Sequence, residues 1–279
     1  MGTKPKISIM NLTARHGGMD ILKGSLERQI FKDFELVIVD TLWEKREDKV
    51  KEYFKDYNLT YVRQSKKREG AYSNLAHADN EGFRACTGDL IVCVQDFIWM
   101  APFALHKFWE AYQAYGDILV GGVGHQYSDP GKEDIKNPDG NITIFKEEFK
   151  GRPEKQCWSD PRMRLDQGTF YETSPSNWEL SYASISNKVI KELGGMDEEY
   201  DFKGFAYDNV NIAQRAEFLG YKTYLDQTNI YRALNHDAWN MSEHKTERAP
   251  DIAEFHINRM KDTIQGRFPI KLNYLDKSV

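Results

Sequence analysis

Apolar and polar positions along this chain repeat with two periods. Short runs rich in β-branched residues alternate with stretches in which apolar residues recur every three or four positions. Glu35–Val39 and Leu90–Val94 are such runs, Ile7–Leu12 alternates enough to be a first strand, and Leu59–Val62 reads as a short third. A continuous run such as Leu90–Val94 suits a strand buried on both faces of a largely parallel sheet. Between them lies a predicted helix from Asp20, as cap, to about Phe31, with Ile21, Leu22, Leu26 and Ile30 on one face. Residues 44–56 are highly charged and read as a solvated helix, and Ser73–Ala85 forms another, packing through Leu75, Ala78 and Phe83. The alternation is the βαβ pattern of a parallel sheet.

Pro102–Tyr115 reads as a helix and Asp117–Val123 as a strand. From His125 to Ser176 the texture changes: Pro, Gly, Asp and Lys accumulate and apolar residues scatter. This predicts a long excursion, with a hairpin around Asp139-Gly140. Loops of such length in a compact domain are usually lids or binding loops. Order returns with a strand over Leu180–Ile185 and a helix capped by Ser186 and closed by Gly194. A helix over Val210–Leu219 follows, then a strand at Tyr221–Leu225 and a separate apolar run at Ile230–Leu234. Pro250 opens a last helix to about Gln265, with Ile252, Phe255, Met260 and Ile264 inward. With no repeat and no Pro/Ser/Gly linker, the pattern predicts one domain carrying a long insertion.

Composition narrows the function classes. The chain has 279 residues, 40% of them hydrophobic, enough for a sizeable core. A net charge of -5 argues against a general nucleic-acid binder and leaves a nucleotide ligand open. Three cysteines without a C-x-x-C pattern indicate neither a disulfide framework nor a zinc knuckle, which fits a reducing cytoplasm. Met1–Lys6 lacks an apolar signal region, and no run approaches a transmembrane length. A cytoplasmic protein without a membrane segment is expected; the oligomeric state is left open.

The candidate chemistry gathers at strand ends, where ligands bind in open α/β sheets. Asp96 follows the Leu90–Val94 run and is suited to a metal or a ribose hydroxyl, or else opens a turn. Asp40 ends the second run, suited to a ribose hydroxyl, a base N–H or a helix cap; spacing does not choose. The basic loop Gln64–Gly70 is either solvated or an aid to a diphosphate. Asp208 lies beside a helix start. A dinucleotide-binding dehydrogenase would need G-x-G-x-x-G after a first strand, and none is present. Thr13–Gly18 is a poor version of a nucleotidyltransferase's triphosphate-gripping loop.

Four stretches together resemble the family 2 glycosyltransferases. Ile7–Arg15 with Leu26–Gln29 and Glu35–Asp40 is similar to the family's opening. Asn80 and Gly82, followed by Ala85–Asp89, match its helix and Gly-Asp turn. Val94-Gln95-Asp96-Phe97 falls at its Asp-x-Asp element. Gly194-Gly195-Met196-Asp197-Glu198, then Tyr207-Asp208 and Arg215 with Gly220-Tyr221, resembles its GG-x-DE and Glu-Asp acceptor block. The likeness covers most of residues 5–230.

The resemblance implies the GT-A fold, a mixed, mostly parallel sheet flanked by helices, with the insertion on the acceptor side. It divides residues 1–249 into a nucleotide-sugar-binding half (1–124), an insertion of acceptor loops (125–176) and an acceptor and catalytic half (177–249), before a C-terminal helix and tail at 250–279. It implies inverting transfer from a nucleotide-diphosphate sugar to a glycan, lipid-linked or other hydroxyl acceptor. Asp208 matches the base. Thr13, Arg15, Asp40, Gln95 and Asp96 match the nucleotide-sugar side, and Asp96 with His236 the Mn²⁺ or Mg²⁺ ligands, with His244 a weaker rival. Trp178 is assigned either to a sugar face or to the core. Phe97 and Tyr207 depart from the family's acidic residues, and a catalytically silent nucleotide-sugar or carbohydrate-binding protein is the alternative they support. The Gln-x-x-Arg-Trp signature of processive synthases is absent, so a single addition is expected.

Overall fold

The computed structural model describes residues 4–128, 155–164, 168–235 and 248–276. Its strands are β1 (Ile7–Thr13), β2 (Phe34–Asp40), β3 (Leu59–Arg63), β4 (Leu90–Gln95), β5 (Ile98–Met100), β6 (Leu119–Ser128), β7 (Lys155–Ser159), β8 (Phe170–Glu172), β9 (Tyr182–Ser186) and β10 (Thr223–Asn235). Its helices are α1 (Met19–Glu27), α2 (Trp43–Tyr53), α3 (Leu75–Ala85), α4 (Ala104–Tyr115), α5 (Asn187–Leu193), α6 (Asp208–Phe218) and α7 (Ile252–Ile264). The described strands form one sheet in the order β3-β2-β1-β4-β9-β6-β10-β5, with β7 on β6 and β8 on β10. β1, β2, β3, β4, β6 and β10 run one way; β9 runs against both β4 and β6. The expected mixed, mostly parallel sheet with helices on both faces is what forms.

Strand alternation makes the two cores. Ile7, Ile9, Leu36, Ile38, Leu90, Val92 and Val94 point to one face, under Leu22 and Leu26 of α1 and Leu105 and Phe108 of α4. Met10, Val37, Val39, Ile91 and Cys93 point to the other, under Phe83 of α3, Val189 and Ile190 of α5 and Ile212 of α6. Each fully buried aliphatic side chain here contributes about 1.5–3 kcal/mol before ordering costs.

Several expectations change in detail. α1 is capped by Gly18, with Asp20 inside its first turn, and it ends at Glu27, which leaves Ile30 51% exposed. The runs expected as two strands at 221–225 and 230–234 are one strand, β10. A register shift between Asp226 and Ile230 against β6 divides it, where the Asp226 carboxylate accepts the Thr228 N–H at 2.8 Å. The excursion expected from His125 is partly sheet: β6 runs on to Ser128, and β7 and β8 pair with β6 and β10. The Asp139-Gly140 hairpin lies outside the described residues.

Ser186 caps α5 as predicted, accepting the Val189 N–H, and Gly194 ends it in the left-handed conformation at φ 70°. The C-terminal segment returns to this point. Leu272 and Tyr274 donate to the Leu193 and Gly194 carbonyls at 2.8 and 3.0 Å. A Cβ on Gly194 would lie 1.8 Å from the Leu272 oxygen. α7 turns Ile252, His256 and Met260 inward, but not Ile264, which is 69% exposed.

Candidate active site

Asp96 follows the carboxyl end of β4 and is 8% exposed. Its Oδ2 accepts the Ala14 N–H at 3.1 Å and faces Arg15 Nη1 at 3.5 Å, so the loop after β1 closes onto it. Thr13 also hydrogen-bonds it. Burial raises this carboxyl above its ordinary range, while Arg15 and Thr13 pull it back. Gln95 beside it is half-buried, and its N–H donates to the Ser181 carbonyl at 3.0 Å.

Asp40 sits at the parallel position on β2 with no exposed surface. Its Oδ1 accepts the Leu42 N–H and Arg46 Nη2, and its Oδ2 accepts Arg46 Nε and the Tyr61 hydroxyl, at 2.7–2.8 Å. Both oxygens are committed to the protein. In this structure the carboxylate anchors Arg46. Arg46 extends this anchor, donating to the Arg15 carbonyl at 2.8 Å and to the Thr13 hydroxyl at 2.9 Å. Burial alone would lower the Arg46 pKa; Asp40 outweighs it and the net direction is up. Thr13, Arg15, Asp40 and Asp96 are thus gathered around a buried guanidinium. Sequence reasoning missed Arg46 because it stands in a helix charged on nearly every side.

Asp208 opens α6 and is 7% exposed. Burial pushes its carboxyl up to about 6, with the Asn209 N–H opposing and the Asp201 carboxylate adding to the rise. Asp79, buried on α3, is raised well above the usual range, first by burial and then by Asp208. The N-terminus of α3 is capped across the chain: Asp201 accepts from the Ala76 and His77 N–H groups, each at 3.0 Å. Asn80 joins two of the motif stretches. Its amide donates to the Met196 carbonyl and to Glu198, and accepts the Met196 N–H at 2.7 Å.

The chain neighbours of the two acids meet one segment. β9 is antiparallel to β4, so the residues before β9 meet the end of β4. In that segment Ser181 accepts from Gln95, next to Asp96, and Trp178 accepts from the Asn209 side chain, next to Asp208, each at 3.0 Å. Among the described residues, the non-glycine residues with positive φ are Phe97 (63°), Ala206 (151°) and Tyr207 (64°). One follows Asp96 and two precede Asp208. Such backbone costs about 1–3 kcal/mol per residue and clusters at functional sites.

A family model, glycosyl transferase family 2, matches residues 23–173, over half of the chain. The chain belongs to glycosyl transferase family 2. Among curated proteins, no sequence matches it. Solved structures with the same fold include S. aureus TarS 1-349 in complex with UDP, at TM-score 0.56 and 14% identity, covering 82% of this chain and 60% of that one. The same TarS fragment with UDP-GlcNAc gives 0.56 and 12%, covering 86% and 60%. Longer TarS gives 0.55 and 14%, covering 82% of this chain and 37% of that one. The chain therefore spans well under two thirds of the length of these structures, and at such identity the likeness is one of fold.

Other expectations for this family 2 chain fall differently. Trp178 is fully buried, which assigns it to the core rather than to a sugar face. His236 and His244 lie outside the described residues. Among the described residues no group of three or more His, Cys, Asp or Glu could hold a metal ion. Asp96 supplies one carboxylate, already engaged by Ala14, Arg15 and Thr13, so further ligands would have to come from a donor's phosphates, water or His236. No described helix is long and apolar enough to cross a membrane.

Proposed function

We propose that this chain is an inverting glycosyltransferase that moves one sugar at a time from a nucleotide-diphosphate sugar to an acceptor hydroxyl. The observation that carries the reading is the pair of buried carboxylates, Asp96 and Asp208, each next to a residue of positive φ, with their chain neighbours Gln95 and Asn209 bonded to opposite ends of one short segment. Asp208 is the base. A carboxylate with a pKa of about 6 is ionised at neutral pH, yet is a better proton acceptor than an ordinary one. The acceptor oxygen bonds to the anomeric carbon as the bond from that carbon to the diphosphate oxygen breaks. The electron pair leaves with the nucleoside diphosphate, and the hydroxyl proton passes to Asp208.

Thr13, Arg15, Gln95 and Asp96 form the donor side, braced by Asp40 and Arg46. Arg15 brings positive charge towards the diphosphate. Metal assistance belongs to the same proposal, with Asp96 and His236 as the protein ligands for Mn²⁺ or Mg²⁺. A bound dication supplies charge neutralisation for the leaving diphosphate. Since TarS was solved with UDP and UDP-GlcNAc, uridine nucleotides are the first donors to test.

The test is a thermal-shift panel of UDP-, GDP- and dTDP-sugars with and without Mn²⁺, then NMR of the product's anomeric configuration. Stabilisation by one donor class and inverted product are expected. Donor binding without turnover, indifferent to Asp208→Asn, would favour a silent binding protein, to which Phe97 and Tyr207 lend support. A donor shift unaffected by Mn²⁺ overturns the metal assignment.

A further inference from the structure

Tyr207 stands where it is costly to put a tyrosine. Its backbone is left-handed (φ 64°, ψ -10°), the preceding Ala206 is at φ 151°, and its peptide bond joins it to Asp208. Glycine would take such backbone with little penalty; a bulky side chain does not. What the tyrosine adds at this joint is a ring. The residue is 38% exposed, although it stands at the start of α6 and packs on α7.

The ring is also held still. It stacks on His256 of α7, with centroids 4.8 Å apart and planes 15° from parallel. His256 is itself fixed by a 2.7 Å hydrogen bond between its Nδ1 and the buried Tyr200 hydroxyl, and Phe255 packs edge-on against Tyr200. Burial lowers the His256 pKa, which keeps the imidazole neutral and the stack free of a charge. One face of Tyr207 is therefore backed by an aromatic layer, and 38% of the residue is open to solvent.

We infer that Tyr207 is the acceptor platform, and that the acceptor is itself a sugar ring whose C–H face lies on the exposed side of the tyrosine while one of its hydroxyls meets Asp208. This deepens the transferase reading and rests on it for the role of Asp208. A flat, partly exposed aromatic surface suits a ring with an apolar face; it offers little to a short acyclic polyol. Trp178, the other aromatic weighed for this task, is enclosed in the core. About 50 Å² of apolar contact at about 25 cal/mol per Å² corresponds to about a tenfold change in acceptor affinity.

The experiment is saturation-transfer NMR on the whole chain with UDP present, using a panel of methyl glycosides and glycerol. Wild type, Tyr207→Phe and Tyr207→Leu are compared, and the UDP signals report folding and donor binding in the same spectra. We expect at least one methyl glycoside to bind wild type and Tyr207→Phe, about tenfold weaker binding to Tyr207→Leu, and no glycerol signal. The proposal is overturned if no glycoside binds, if glycerol binds as well as the glycosides, or if Tyr207→Leu binds them as wild type does. Should Tyr207→Leu lose the UDP signals, Tyr207→Trp serves in its place and must keep glycoside binding. Because this readout needs no turnover, a chain that binds glycosides through Tyr207 yet transfers no sugar would sink the transferase reading alone.

Discussion

Asp208→Asn separates the demands of folding from those of chemistry. The Asp208 pKa rises from 3.8 to about 6 because the carboxyl is buried. Two units correspond to about 3 kcal/mol in favour of the neutral form. Above pH 6 the folded chain holds this group ionised against that preference, so folding is weaker there by about that amount. Below about pH 4 both folded and unfolded states are protonated and the penalty vanishes. Asparagine is never charged. The variant should therefore match wild type near pH 4, gain stability progressively to pH 6 and remain up to about 3 kcal/mol more stable at pH 7.5. For a chain of this size that is about 5 °C in Tm. Turnover should fall by about 10²–10⁴-fold as the base is lost, with donor affinity kept. Urea melts followed by circular dichroism at both pH values, alongside initial rates, make the comparison. A variant less stable at pH 7.5, a stability gap independent of pH, or turnover within a few-fold of wild type would refute the reasoning.

The same pKa sets an acidic limb in kcat/KM near pH 6, activity falling below it as Asp208 takes up its proton; a profile flat from pH 5 to 8 would contradict it. Arg46→Met leaves the buried Asp40 carboxylate without its partner and should cost about 3–5 kcal/mol in urea melts, most of it recovered by adding Asp40→Asn. Asp96→Asn should weaken Mn²⁺-supported donor binding at least about tenfold in calorimetry; an unchanged Mn²⁺ dependence would remove Asp96 from the metal proposal. Gly194→Ala puts a Cβ against the Leu272 carbonyl at left-handed backbone and should lower stability by about 1–3 kcal/mol, read as a fall in Tm.

β2 and β4 were legible as continuous apolar runs buried on both faces, β1 by its alternation, and β3 as a short run between turns although it is only half-buried. The α5 helix was legible at both ends, since Ser186 and Gly194 act through purely local geometry. β5, β7 and β8 were not: strands of three to five residues carry too few alternations to stand out, and their partners are remote in sequence. β10 read as two strands because the Asp226–Thr228 turn inside it carries ordinary turn residues. At the site, the resemblance picked out Asp96 and Asp208, and their neighbours Gln95 and Asn209 bond one segment. It could not foresee that Asp40 spends both oxygens on Arg46, since that pairing depends on how α2 docks rather than on any spacing. The reading of Trp178 stayed open for the same reason; only the packing around it decides.

The segment from Trp178 to Ser181 has a mechanical consequence. It is bonded beside one acid at one end and beside the other acid at the opposite end. The acids are like jaws set on a common rail, each held to it through its chain neighbour, Gln95 or Asn209. Adding or deleting one residue on that rail changes its length by about 3.3 Å, as much as the whole distance over which reacting atoms must meet. Substitution at either jaw alters what the site holds, whereas a change in residue count on the rail is expected to shift the jaws relative to each other.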